Sequence, residues 1–214
     1  KQGLGMPVGF KIGCTTSVMQ EYMNITEPSY GEIFSSTVYN SPINLNHSDY
    51  IEPGVEAEIA VKLGLDLPAT NAPYNINSVV DAIENCMTSI EVVDARYFDY
   101  RKLDTPTMVA DNFFNAACVL GNPYSFSKDT DLANIQGNMK VNGNVIGKGL
   151  GSLIMGHPLQ ALAWLANKLA ERNRSLKAGQ FITLGSIVTT YWVSPGDLIE
   201  VEMSGLGSIK IKFQ

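Results

Sequence analysis

Histidine is nearly absent from this sequence: among 214 residues there are only His47 and His157, with no H-E-x-x-H pair, which removes the zincin arrangement. Cysteine is scarce as well. Cys14, Cys86 and Cys118 are odd in number, far apart and free of any C-x-x-C pattern, so neither a zinc knuckle nor a disulfide scaffold fits. That usage sets a reducing, cytoplasmic compartment as the expectation. No run approaches the roughly 18 apolar residues that a membrane span needs. No G-x-S-x-G elbow is present. Gly147-Lys148-Gly149-Leu150-Gly151-Ser152 matches neither the Rossmann fingerprint nor a P-loop, lacks a βαβ setting, and reads as loop. Positive charge is also in deficit, 15 Lys and Arg against 21 Asp and Glu, for a net charge of −6. Without a basic cluster interleaved with aromatics, nucleic acid is excluded as the main partner. An anionic small-molecule substrate would then need positive charge supplied at the site, which a bound cation provides.

What is present suffices for a core. Hydrophobic residues make up 45% and charged residues 17%, and no repeat or composition break divides the chain, so 1–214 is expected to be a single catalytic domain. The sequence starts at Lys1 with no signal-peptide pattern, and its natural N-terminus is expected to lie upstream. Strands are expected over 8–14, Val55–Leu63, 89–97 and Phe181–Leu184. Helices are expected over 15–23, from a cap at Asn77 or Ser78 to Met87, and from Pro158 to about Asn173. Residues 24–53 read as loop-rich with short β-prone pieces. Asn142-Gly143 sets a hairpin over 138–147, Ser194-Pro195-Gly196-Asp197 is a turn, and 198–203 with 209–213 form a closing hairpin. The class is α+β with a large curved sheet system.

Strand alternation puts Glu56 and Glu58 on one face, their Cα atoms roughly 6.5 to 7 Å apart. Two such charges on a partly buried face repel unless something neutralises them, and a hard cation would. The same spacing recurs at Glu200 and Glu202, however, where Lys210 and Lys212 across the closing hairpin account for it by cross-strand pairing. E-x-E alone is therefore weak evidence. A third carboxylate, either Glu91 or Asp94, lies in the apolar strand that follows. Lys11 stands in an apolar strand with Gly9 and Gly13 on its own face, leaving room for a ligand. A buried lysine there would be a candidate base; a lysine snorkelling from an edge strand is the competing reading. His157, just before Pro158, reads as a helix cap.

In order along the chain come Gly-Phe-Lys11-Ile-Gly-Cys, Glu-Pro-Ser29-Tyr-Gly, Val-Glu56-Ala-Glu58, Ile-Glu91-Val-Val-Asp-Ala-Arg96, Gly-His157-Pro-Leu and Thr-Leu-Gly185-Ser186. The set resembles the 2-keto-4-pentenoate hydratase and 4-oxalocrotonate decarboxylase family of the fumarylacetoacetate hydrolase superfamily, from about Gly9 to the last residue. The resemblance implies a mixed β-sandwich roll, barrel-like, with a few flanking helices, assembled into a homo-oligomer. It implies a Mg²⁺ or Mn²⁺ site at Glu56, Glu58 and Glu91, choosing Glu91 over Asp94. It implies proton handling by Lys11, and substrate contacts at Gly185 and Ser186, with Arg96 either contacting a distal carboxylate or ordering its strand. The implied reaction is addition of water to a 2-hydroxy-2,4-dienoate in meta-cleavage aromatic catabolism, with decarboxylation as the alternative and an inactive ligand-binding relative as the third. An N-terminal helical segment of the family is expected to be absent. The family's acid/base aspartate is replaced by Ser29, which does not ionise at pH 7.

Overall fold

The computed structural model describes Gly3 and residues 5–214. Its strands are β1 (Pro7–Gly13), β2 (Ser29–Phe34), β3 (Val38–Asn40), β4 (Ile43–Leu45), β5 (Pro53–Leu63), β6 (Ile83–Asp94) and β7 (Asn115–Leu120). They continue with β8 (Tyr124–Ser125), β9 (Gln136–Val141), β10 (Asn144–Leu150), β11 (Phe181–Ser186), β12 (Tyr191–Trp192), β13 (Leu198–Met203) and β14 (Gly207–Phe213). The α-helices are α1 (Ser17–Tyr22), α2 (Ile76–Val79), α3 (Thr105–Ala110) and α4 (Pro158–Ala170).

Nine strands form a mixed sheet whose main path runs β2-β1-β11-β5-β6-β7-β3, with β12 added on β5 and β8 on β6. The two edges of that path, β2 and β3, are consecutive in the chain and joined only by residues 35–37. Four Cα steps reach at most about 14 Å, so the sheet has to curl until its edges come close. The result is an open roll rather than a closed barrel. A second sheet, β10-β9-β13-β14-β4, has five strands.

The faces of β5 show how the two sheets divide the work. Val55, Ala57, Ile59, Val61 and Leu63 are fully buried in one large core with Ile199, Val201 and Ile211 of the second sheet and Leu162, Leu165 and Leu169 of α4. The opposite face, which carries Glu56 and Glu58, lies along the inside of the roll. A small separate cluster of Ile33, Cys118 and Phe181 fills part of that interior.

Three expectations about local structure change. The helix expected to reach Met87 stops early. Asn75 and Ser78 form a capping box, α2 ends at Val79, and a 3₁₀ turn leads into β6 at Ile83. From Ile83 onward the segment pairs with β5 along its whole length, Leu63 opposite Ile83 through Pro53 opposite Asp94. That ladder satisfies the backbone and overrides a spacing compatible with either structure. The glycine-rich run at 147 is not loop, because β10 continues to Leu150 before a turn at 151–153. In the closing hairpin, Glu200 does oppose and pair with Lys210, but Lys212 opposes Leu198, and Glu202 finds Lys140 of β9 at 3.9 Å. Elsewhere the expected elements form. Thr16 caps α1, His157 caps α4 through Nδ1, and Asn142 and Gly143 turn the β9–β10 hairpin with φ of 50° and 83°.

Leu162 is fully buried on the α4 face that meets the sheet. Replacing it with alanine should cost about 2–5 kcal/mol, read as a lower urea midpoint with an unchanged slope.

Candidate active site

β5 and β6 run antiparallel, with Glu56 directly opposite Glu91 and Glu58 opposite Ser89. Like charges in that position destabilise a strand pair, yet here a third carboxylate joins them. One oxygen from each of Glu56, Glu58 and Glu91 lies within 4.8 Å of the other two. Glu58 is 1% and Glu91 3% exposed, while Glu56 is partly buried and faces a cavity. Asp94 is not among them. Its Oδ1 accepts from the Ile51 and Glu52 amides at 2.9 and 2.8 Å, so it caps a loop.

Several groups hold the carboxylates in place. The Thr190 hydroxyl donates to Glu56 Oε1 at 2.6 Å, the Gly185 amide to Glu58 Oε2 at 3.0 Å, and Asn115 Nδ2 to Glu91 Oε1 at 2.8 Å. Lys11 is buried rather than snorkelling. Its Nζ lies 3.6 Å from Glu91 Oε1 and 3.4 Å from the Phe113 carbonyl, and 5.3 Å from the centre of the Phe113 ring. Burial pushes Glu56 up to about 7, with the Glu91 charge adding to the rise and Thr190 and Lys11 opposing it. Burial drives Glu58 well above the carboxylate range too, aided by the charges of Glu91 and Glu56 and resisted by Gly185 and Thr183. Fully ionised, three carboxylates against one ammonium leave an excess of two negative charges. Glu58 Oε1 also lacks a well-formed hydrogen bond among the described residues. An all-oxygen donor set, two charges in excess and one orphaned buried oxygen fit a hard divalent cation.

The remaining candidates fall on two sides. Ser29, on β2 opposite Gly13, is 8% exposed. Its Oγ lacks a well-formed hydrogen bond among the described residues, with the Cys14 thiol beside it. A Cβ added at Gly13 would sit 3.2 Å from Ser29 Oγ and 3.8 Å from Lys11 Nζ, so this glycine keeps a gap that both residues border. Gly185 spends its amide on Glu58, and at φ +122° its Cα faces the Thr15 side chain, so it positions a carboxylate instead of presenting a free donor. Ser186 lines the cavity wall, with its hydroxyl turned to the Val188 carbonyl at 2.6 Å. The Arg96 guanidinium is engaged within the chain, binding Asp111 at 3.0 Å and the carbonyls of Phe114 and Asn115 at 2.8 and 2.6 Å. It thereby fixes the segment that carries Asn115. Thr190 and Asn115 escaped the sequence reading; each is a lone polar residue brought in by long-range pairing, with no local pattern to mark it.

Above this floor is a cavity of about 440 Å³ with Lys11, Glu56 and Glu91 at its base and Met19, Phe113 and Trp192 among its walls. At its rim the hydroxyls of Tyr22 and Tyr100 approach to 3.4 Å. A rolled sheet with an oxygen-donor cage inside defines the class of protein. The model of the fumarylacetoacetate (FAA) hydrolase C-terminal family matches residues 20–214, and the chain belongs to that family. Within it, the chain is 36% identical over 208 residues to a 4-oxalocrotonate decarboxylase of Pseudomonas putida, covering 96% of this chain and 77% of that protein. It is 33% identical to a 2-keto-4-pentenoate hydratase of Burkholderia vietnamiensis, covering 96% and 78%. Among solved structures, the 4-oxalocrotonate decarboxylase from Pseudomonas putida G7, complexed with magnesium and adipate, superposes with a TM-score of 0.92. The two are 34% identical, over 98% of this chain and 78% of that one.

The raised carboxylate at Glu56 has a sign that can be tested. Folded protein keeps its proton up to about pH 7, whereas the unfolded chain releases it near 4.5, so the native state binds more protons between these values. The contribution of Glu56 to stability in chelator is therefore fullest below about 4.5 and is lost as pH rises towards about 7. In EDTA the thermal midpoint of wild type relative to Glu56→Gln should fall across that window; a difference that climbs with pH would contradict the assignment.

Proposed function

We propose that this chain is a divalent-metal-dependent lyase that adds water to a 2-hydroxy-2,4-dienoate, giving a 4-hydroxy-2-oxo acid. The observation that carries the reading is the cage of three carboxylates, two of them buried and one partly so, facing one ammonium at the base of a largely apolar cavity. Glu56, Glu58 and Glu91 would hold Mg²⁺ or Mn²⁺, which accept the same oxygen ligands. When bound, such a cation supplies a dock for the 1-carboxylate and Lewis-acid stabilisation of charge on the 2-oxygen.

The chain's own residues do the rest. A proton must leave the 2-hydroxyl and arrive at C5, which puts the C3=C4 bond in conjugation with the new 2-oxo group. Water then adds at C4 and a proton at C3. Lys11, beside the gap over Gly13, is the proton carrier. Ser29, across that gap from Lys11, would hold the substrate or the attacking water and does not ionise. Ser186 shapes the wall next to Glu58. The apolar walls exclude bulk water from the dienoate and strengthen each charge at the base.

A second reading uses the same floor. With a carboxylate at C5 of a 2-oxo-3-enoate, the C5–C6 bond breaks, CO₂ leaves, and the electron pair remains as a dienolate. One observation favours it: the decarboxylase relative at 36% identity. The proposed setting is a cytoplasmic homo-oligomer serving meta-cleavage catabolism. No helix among the described residues is long and apolar enough to cross a membrane.

Following diene absorbance and product NMR with Mg²⁺ separates the readings. A 4-hydroxy-2-oxo acid from the dienoate supports hydration, CO₂ from an oxalocrotonate-type diacid supports decarboxylation, and turnover of neither would leave an inactive ligand-binding relative. Glu58→Ala should abolish Mg²⁺ and Mn²⁺ binding in calorimetry; undiminished affinity would remove the metal assignment. Lys11→Ala should keep metal binding but slow turnover by about 10²-fold or more, and a fully active variant would take Lys11 out of the chemistry.

A further inference from the structure

The cavity extends beyond the carboxylates into a part that is more aromatic than the reaction requires. Gly54 of β5 pairs with Val93 of β6, just as Glu56 pairs with Glu91. Residues two apart share a face, so the floor continues from the glutamates to Gly54 and Val93 over roughly 7 Å. That span is comparable with the length of an extended five-carbon chain. The ring of Trp192 covers Gly54: a Cβ added there would sit 2.9 Å from Trp192 Cε3, so only glycine lets the indole lie against β5. Trp192 lines the cavity and is still 39% exposed.

Two more rings complete this end. Tyr100 stands 6.4 Å from Trp192 with the planes tilted by 36°, and 5.6 Å from Phe114 at 63°; both line the cavity. Phe114 is held there against its backbone preference. Asn112, Phe113 and Phe114 have φ of 59°, 47° and 66°, a left-handed run that bulky side chains avoid. The surrounding chain enforces the turn. The Phe114 carbonyl accepts from the Asp94 amide at 2.9 Å and from Arg96 at 2.8 Å, and Asn112 Nδ2 donates to the Glu32 carbonyl at 2.8 Å. Strain kept at a cavity wall points to side chains that the site uses.

We propose that Trp192, Tyr100 and Phe114 form a slot for an aryl group on the far end of the substrate, so that the preferred class is a 5-aryl-2-hydroxy-2,4-dienoate. This deepens the lyase reading and rests on it for the identity of the near end. The space is sufficient. A cavity of about 150 Å³ admits benzene, whereas this one has about 440 Å³, enough for a ring beyond a five-carbon dienoate. The shape also favours a ring over a flexible tail. An aryl group at C5 is conjugated and coplanar with the diene, and its faces and edge meet three rings in the tilted and edge-on arrangements that aromatic groups prefer. No acidic side chain among the described residues lines this part of the cavity to oppose it.

The test uses the whole chain with Mg²⁺ at pH 7.5 and saturated probes that cannot turn over, 2-oxopentanoate, 5-phenyl-2-oxopentanoate and 5-cyclohexyl-2-oxopentanoate, in calorimetry. Wild type should bind the phenyl probe about tenfold more tightly than 2-oxopentanoate, and more tightly than the cyclohexyl probe. Trp192→Ala and Tyr100→Leu should each lower the ratio of phenyl to unsubstituted affinity several-fold, while Trp192→Phe should retain most of it. The phenyl probe should also perturb the tryptophan fluorescence of wild type, a response that Trp192→Phe removes. Equal affinity of wild type for the phenyl and unsubstituted probes, or a ratio unchanged in both Trp192→Ala and Tyr100→Leu, would overturn the proposal. Cyclohexyl binding as tight as phenyl would overturn the aryl assignment. The lyase reading is judged separately, by turnover of the unsubstituted dienoate, so either can fail alone.

Discussion

An uncompensated charge inside the rolled sheet governs this structure. Three carboxylates are held together where water is scarce and only one ammonium answers them. Left alone, such a cluster relieves itself by holding protons, which is the direction in which both Glu56 and Glu58 move. The β5–β6 ladder makes separation impossible, since Glu56 and Glu91 are locked opposite each other within eleven paired positions from Pro53 to Leu63. Thr190, Gly185 and Asn115 then each commit a donor to one carboxylate. The site is strained electrostatically and constrained geometrically, the combination that makes a cation a structural as well as a chemical partner.

Stability comes from a different surface of the same strands. The face of β5 that turns away from the glutamates is packed into the core shared with α4 and the second sheet. Alternation along a strand keeps the two tasks apart at single-residue resolution: Ala57 and Ile59 fasten the sheet while Glu56 and Glu58 face the cavity side. Arg96 belongs with the supports, since by clamping 111–115 it secures the strand that presents Asn115 to Glu91.

Much of this was legible in the sequence where the signal is local. The alternation of β5, the Asn-Gly turn, the cap at His157 and the lysine between two glycines all depend on a few neighbouring residues. Spacing could not separate Glu56-x-Glu58 from Glu200-x-Glu202, because it fixes the face and not what covers that face; one pair joins Glu91 in a cage and the other is matched by Lys210 and Lys140. It could not choose between Glu91 and Asp94 either, which family resemblance did. The helix expected through Met87 failed because its apolar spacing suits both periods, and a partner strand distant in sequence decided. Thr190, Asn115 and the role of the Gly185 amide were out of reach for the same reason. Each acts on a glutamate more than twenty residues away, and a short window holds no trace of that.

The roll itself limits how the site can change. Because β2 and β3 are its edges and residues 35–37 are all that join them, its girth is pinned by the length of that tether and by whole strands, not by small adjustments. The floor is thus inherited as a unit of fixed width. Diversification of what the protein accepts is channelled to the segments that end at the mouth, α1, the 97–103 turn and β10, where insertions and exchanges leave the circumference alone. Lineages sharing this scaffold would therefore be expected to drift at the lip while keeping the interior almost frozen.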